Sequence, residues 1–276
     1  MSVMCCVYVP EGIVLAADSR LTRTKPLFTQ PNLIQVPGMG KIPVVAKEIT
    51  YTLSDNAQKV LLIKKNNVGV SFCGNALING ITVADYIRKF EIDKVLTTDT
   101  TEDTAKKLAD CDLDKSTQFI VCGFDDDLPY VFYVNGSEFK RLNIEIAQTE
   151  VQPVKVSADD GSPIELGAPD IVKTEEPLKE TTNMITEVPI IRYGAHWGGQ
   201  QTAITKLIND EPRLSADFVT MPLKDAVDFS EFLIDLTIKY ERFSDNIQTC
   251  GGEIDILVIT KDDAFWKQHK VYNPLK

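Results

Sequence analysis

The chain has 276 residues, 43% of them hydrophobic, with 29 basic against 40 acidic side chains and a net charge of −11. That length suits one large domain or two small ones, and the apolar content can bury a sizeable core, which argues against a wholly disordered chain. The acidic balance argues against nonspecific binding to nucleic acid or an anionic membrane, and no run of about 18 apolar residues marks a membrane span.

The first residues carry no basic leader, and their apolar run breaks at Pro10, so no secretory signal is expected. Six cysteines (Cys5, Cys6, Cys73, Cys111, Cys122 and Cys250) lie mostly inside apolar, strand-like runs without CxxC spacing. Reduced thiols in a cytoplasmic protein are the expectation. With His196 and His269 the only histidines, neither a structural metal nor a cofactor is expected.

In chain order, Val3 to Val9 and Ile13 to Ala17 are apolar runs flanking Pro10-Glu11-Gly12, which reads as a β-hairpin. Folding about that turn brings Ser2 to within about one residue of Asp18 and Ser19 across the strands. Initiator methionine is normally trimmed before a small residue. Trimming here leaves Ser2 with a free α-amine, of ordinary pKa about 7.7–8.0, beside its own hydroxyl: a base and a nucleophile in one residue. Two histidines in the whole chain are then no obstacle to hydrolysis. Cys5 is a rival nucleophile, one that requires removal of a longer leader.

Leu21 to Lys47, with four prolines, reads as a long connection or insertion. Glu48 to Lys64 and Asn67 to Cys73 read as strands, Ala76 to Phe90 and Thr101 to Asp110 as amphipathic helices, the second capped by Thr101. Gln118 to Phe124 and Tyr130 to Asn135 form a hairpin across three aspartates. From Gln148 to Val188, nine acids face three lysines among four prolines, the composition of an insertion or flap. Ile190 to Gly194 reads as a short strand and Gln200 to Asn209 as a helix. Leu223 to Phe243 is the best helix, with Val227, Phe229, Phe232, Leu233, Leu236 and Tyr240 as its apolar stripe. Ile254 to Thr260 is a buried strand. Helices grouped between antiparallel strand sets predict a layered α+β sandwich in a single domain, residues 1–276, with insertions at about 21–47 and 148–188. His196-Trp197-Gly198-Gly199-Gln200 lacks the ending and glycine spacing of a phosphate loop and reads as a turn and helix start.

The segment Gly12 to Arg20, GIVLAADSR, closely resembles the second strand of proteasome β-type subunits, members of the N-terminal nucleophile hydrolases. In that family the nucleophile stands sixteen residues before this aspartate, which is Ser2 here, the same register as the hairpin reading. The resemblance implies a four-layer αββα sandwich and cleavage of amide bonds in peptides or proteins through an acyl-enzyme. It implies Asp18 as the aspartate facing the active-site lysine and, from Lys59-Val60-Leu61-Leu62-Ile63 before Val68 to Gly74, Lys59 as that lysine. Gly74 corresponds to the glycine whose N–H forms the oxyanion hole. The family's serine in a Gly-Ser-Gly turn falls on Ala195, within Tyr193 to His196. Its late serine falls on Cys250 before Gly251-Gly252, and its late aspartate on Ile247, with Asp245 a substitute carboxylate if Asn246 to Thr249 forms a longer loop. The resemblance also implies ring-type homo-oligomers, and it leaves an ATPase partner undetermined. Two further readings stay open: a catalytically silent scaffold subunit, which the substitutions at Ala195 and Ile247 favour, and a hydrolase of small amides.

Overall fold

The structure, a computed structural model, describes residues 2–26, 33–38, 40–43, 48–111, 113–151, 184–209, 214–245 and 247–270. They form an α+β protein whose sheets pair antiparallel throughout. By contacts the chain divides into two compact units, one of residues 1–143 with 193–276 and one of residues 144–192.

The larger unit begins with the hairpin of β1 (Val3–Val9) and β2 (Gly12–Ala17). Every residue of both strands is buried, which is why the two runs carry no polar alternation. Their register pairs Met4 with Ala17 and Val9 with Gly12.

The connecting stretch beyond Arg20 is not structureless. β3 (Leu21–Pro26) pairs with β6 (Glu48–Ser54), and β4 (Leu33–Val36) with β5 (Gly40–Pro43). The stretch 21–47, read as a long connection or insertion, thus carries three strands; residues 27–32, 39 and 44–47 lie outside the described residues. β3 escapes notice because Leu21-Thr-Arg-Thr-Lys offers β-branched residues but no apolar face; its ladder is trimmed by a Thr24–Thr50 hydroxyl pair at 2.7 Å and by Lys25 over the Tyr51 ring. The Glu48–Lys64 strand likewise breaks after Ser54.

β7 (Val60–Ile63) and β8 (Val68–Gly74) follow, then a small hairpin of β9 (Leu77–Ile78) and β10 (Ile81–Thr82), and α1 (Val83–Lys94). α1 begins seven residues later than its apolar spacing predicts. Asn79 and Gly80 both take positive φ, of 51° and 82°, and turn the chain, and Thr82 caps the helix by accepting the Asp85 N–H at 3.1 Å. α2 (Thr101–Ala109) is capped by Thr100, not Thr101, in a reciprocal box with Asp103. β11 (Thr117–Asp125), β12 (Leu128–Asn135) and β13 (Glu138–Arg141) complete a five-stranded sheet of order β13-β12-β11-β8-β7, the β11–β12 turn using positive φ at Asp126 and Asp127.

The smaller unit is a hairpin of β14 (Ile144–Val151) and β15 (Met184–Ile191), with an Arg192–Glu145 ion pair. It encloses the acidic stretch expected as an insertion; residues 152–183 lie outside the described residues.

Back in the larger unit come β16 (Gly194–Gly199), α3 (Thr202–Asn209), α4 (Leu223–Arg242), β17 (Asp255–Ile259) and β18 (Ala264–Gln268). They finish a second five-stranded sheet, ordered β16-β1-β2-β17-β18. The face α4 buries is Ala226, Val227, Ser230, Leu233, Ile234, Thr237 and Glu241. Phe232 and Tyr240, assigned to the apolar stripe by sequence, are exposed. Ser230 and Thr237 bond back to the carbonyls of Val227 and Leu233, which makes their burial tolerable.

Three apolar clusters hold this unit together. One draws Met4, Cys6, Leu15 and Leu257 from the first-strand sheet and Val60, Ile120 and Cys122 from the other. A second joins α1 and α2 to the β8–β11–β12 sheet through Ile87, Leu108 and Phe119. The third joins α3 and α4 to β1, β2 and β17 through Val7, Ile204 and Leu233.

Candidate active site

β2 ends at Ala17, and the next residue, Asp18, is fully buried. Its Oδ1 accepts the Val3 N–H at 3.0 Å and the Lys59 ammonium at 2.7 Å; its Oδ2 accepts the N–H groups of Arg20 at 3.1 Å and Gly251 at 3.0 Å. Lys59, 2% exposed just before β7, spends a second proton on the Arg20 carbonyl at 2.6 Å. Both ions have left water, so their stability rests on these hydrogen bonds. The pair brings together the end of β2, the start of β1, the lead into β7 and the loop before β17.

Ser2 stands one residue before Val3, 6% exposed, with its carbonyl accepting the Gln200 N–H at 2.7 Å. It lines a cavity of about 290 Å³ together with Lys59, Leu21, Phe72 and the first turn of α1, Thr82 to Asp85. A helix N-terminus carries partial positive charge, and this wall also carries the Asp85 carboxylate, which accepts from the Thr82 hydroxyl at 2.8 Å and from Arg88 at 2.9 Å. Beside Lys59, Asp55 grips Arg20 through two bonds of 2.7 and 3.0 Å, and the guanidinium holds the Asp55 carboxyl below the usual carboxylate range.

Two assignments by resemblance land elsewhere. The segment against Ser2 is not Tyr193 to His196. Ala195 and His196 lie inside β16, opposite Val7 and Cys6, while Gly199 and Gln200 reach the nucleophile candidate. Gly199 has φ +84°, and a Cβ there would sit 1.8 Å from the Ser2 carbonyl oxygen. Gly199→Ala is expected to cost at least ~1–3 kcal/mol from its left-handed backbone alone, with Ser2 displaced besides; urea unfolding reads the loss, and a wild-type midpoint would refute it. Gly74 ends β8 with φ +105°, against the Ser116 carbonyl, and does not line the cavity; Ala76 and the α1 turn do.

The late-chain positions divide as well. Asp245 is exposed and Asn246 lies outside the described residues, while Ile247 is 55% exposed. The buried carboxylate in this region is Glu241 of α4, 3% exposed. Cys250 is fully buried with its N–H on Glu241 at 2.7 Å, and burial pushes its thiol far above the ordinary value, leaving it a small apolar filler. Cys5 donates to the Ser230 carbonyl of α4 at 3.6 Å, its thiol pushed by burial to about 12, and so points away from the cavity.

Sequence reasoning missed a second ion pair. Lys270 binds Asp255, donates to the Ser19 hydroxyl and reaches the Ala57 carbonyl at 3.0 Å; Ser19 in turn donates to the Glu253 carbonyl. This cluster fixes the residue after Asp18. No local signal marks Lys270, since its partners are 15 to 251 residues away.

Burial depresses the His196 imidazole below its ordinary value. The unfolded chain therefore binds more protons, so stability should fall as pH drops below about 6.5. His196→Phe, which can keep the edge contact with Tyr133, is expected to flatten the urea midpoint between pH 7.5 and 5.5; equal slopes for the two proteins would reject this.

Among the described residues no group of three or more His, Cys, Asp or Glu is arranged to hold a metal, and no helix is long and apolar enough to cross a membrane. Neither a scan of protein-family models nor a search of curated proteins returns a match for this chain.

Proposed function

We propose that this chain is a proteasome-like N-terminal nucleophile hydrolase, a four-layer αββα sandwich that cleaves amide bonds in peptides or proteins with Ser2. The observation that carries the reading is the buried Asp18–Lys59 pair, bonded to the amide of the residue after Ser2 and bordering the cavity that Ser2 lines. The sandwich is supported by the two five-stranded sheets sharing one apolar cluster, each with a helix pair on its other face.

In this mechanism Met1 is removed and the freed Ser2 amine takes the proton of its own hydroxyl. The Ser2 Oγ attacks the substrate carbonyl carbon, and the charge that develops on its oxygen is offset by the Lys59 ammonium lining the same cavity. The C–N bond then breaks, and the leaving amine collects the proton held by the Ser2 ammonium. Water, deprotonated by the same amine, hydrolyses the ester and restores the serine. Lys59 favours the neutral amine by its own positive charge, and Asp18 fixes Lys59 and the Val3 amide.

Intact mass before and after a β-lactone probe tests the proposal. Loss of Met1 with one adduct on Ser2 is the expected result. The second reading, a silent scaffold subunit, is favoured by the apolar, exposed Ile247 where the family has an aspartate; retained Met1, or a trimmed chain that never labels, would establish it instead. Assembly into a ring of identical copies belongs to the same proposal, and native mass reads it.

A further inference from the structure

Glu241 lies on the buried face of α4, where a carboxylate is costly unless its lone pairs are filled. They are filled by four donors. Oε2 accepts the N–H groups of Thr249 and Cys250, both at 2.7 Å; Oε1 accepts the Thr249 hydroxyl at 2.8 Å and the Gln200 side-chain amide at 3.0 Å. None of these donors belongs to α4, so the carboxylate ties the helix to two separate loops.

Each loop continues to the candidate site. Gln200, held at its side chain by Glu241, donates its backbone N–H to the Ser2 carbonyl at 2.7 Å. Thr249 and Cys250 precede Gly251, whose N–H holds Asp18 Oδ2 at 3.0 Å and whose carbonyl accepts the Ser19 N–H at 2.8 Å. One carboxylate thus holds the very residue that contacts Ser2 and the residue next to the one that contacts Asp18.

We infer that Glu241 is a positioning residue for nucleophilic attack, setting the Ser2 main chain through Gln200 and the Asp18–Lys59 pair through residues 249–251. The inference rests on Ser2 being the nucleophile. Glu241 touches neither substrate nor reacting atoms. It supplies from a helix the buried carboxylate that the loop at 245–247 does not. A group that fixes the attack angle acts on the chemical step, because misplacement by about 1 Å can cost on the order of 10²-fold.

Glu241→Gln tests this, because the amide keeps the shape of the side chain but presents an N–H₂ to one set of donors. Acylation by a β-lactone is followed at saturating probe, together with amide hydrogen exchange at Gln200 and Gly251. The expected result is a fall in the maximal acylation rate of roughly tenfold or more, an unchanged half-saturating probe concentration and faster exchange at both amides. Thr237→Ala, one turn earlier on the same buried face, is the stability control; its expected signature is a lowered unfolding midpoint with the acylation rate unchanged. A wild-type acylation rate or wild-type exchange in Glu241→Gln overturns the inference, as does an equal rate loss in the Thr237→Ala control. If the wild-type protein never acylates, the hydrolase reading falls and positioning for attack falls with it; wild-type acylation that Glu241→Gln leaves unchanged overturns the inference alone.

Discussion

Lys59→Met is expected to destabilise the protein by about 3–5 kcal/mol, the cost of leaving one member of a buried ion pair without its partner. The side chains of Lys59 and Asp18 are 3% and 0% exposed, so water cannot replace the ammonium. The Arg20 carbonyl also loses its donor, while the Val3, Arg20 and Gly251 amides stay aimed at an uncompensated carboxylate. Methionine matches the length of the lysine stem, so the effect isolates charge from packing. Guanidinium unfolding of Lys59→Met, Asp18→Asn and the double variant gives the coupling. A total loss below about 1 kcal/mol would mean that the pair is solvated, as exposed ion pairs are. In the proposed mechanism the same variant also loses acylation, because the positive charge that holds the Ser2 amine neutral is gone.

Ser2→Ala is expected to lower turnover of a peptide amide by roughly 10⁴-fold or more while leaving the unfolding midpoint close to wild type. Alanine is also small, so trimming of Met1 should be the same in both proteins and only the attacking oxygen differs. The register of β1 on β2 continues past Met4 and Ala17 through the Val3–Asp18 contacts, so the main chain of residue 2 is held independently of its side chain. Turnover that survives in Ser2→Ala would move the nucleophile elsewhere. A wild-type protein without turnover would leave the scaffold reading standing. Gly199→Ala makes an instructive comparison. It keeps the oxygen and disturbs the carbonyl of the same residue, so it should lower stability and acylation together, whereas Ser2→Ala should separate them.

Much of this was legible from local pattern. Two unbroken apolar runs about Pro10-Glu11-Gly12 fix the first hairpin, and antiparallel pairing then sets Ser2 across from the Asp18–Ser19 step by counting alone. α4 by its length and Ile254 to Thr260 by continuous hydrophobicity follow from the same short-range rules, whereas Lys59 was singled out by the family resemblance. α1 starts later than its pattern predicts because apolar spacing runs through Leu77 and Ile81, while Asn79-Gly80 imposes a turn that spacing does not register.

What tertiary structure alone decided is where buried polar atoms find partners. Neither Glu241 nor Thr237 belongs to the apolar stripe that the sequence marks on α4, because a carboxylate and a hydroxyl carry no apolar signal. Only the amides of Thr249 and Cys250 and the side chain of Gln200, 8, 9 and 41 residues away, make the burial of Glu241 tolerable. Gly251 meets Asp18 across 233 residues, and Lys270 meets Ser19 across 251. Local sequence sets backbone preference and the apolar face within a few residues. The satisfaction of a buried charge is a property of the whole fold, because its donors come from chain segments that only packing brings within hydrogen-bond reach.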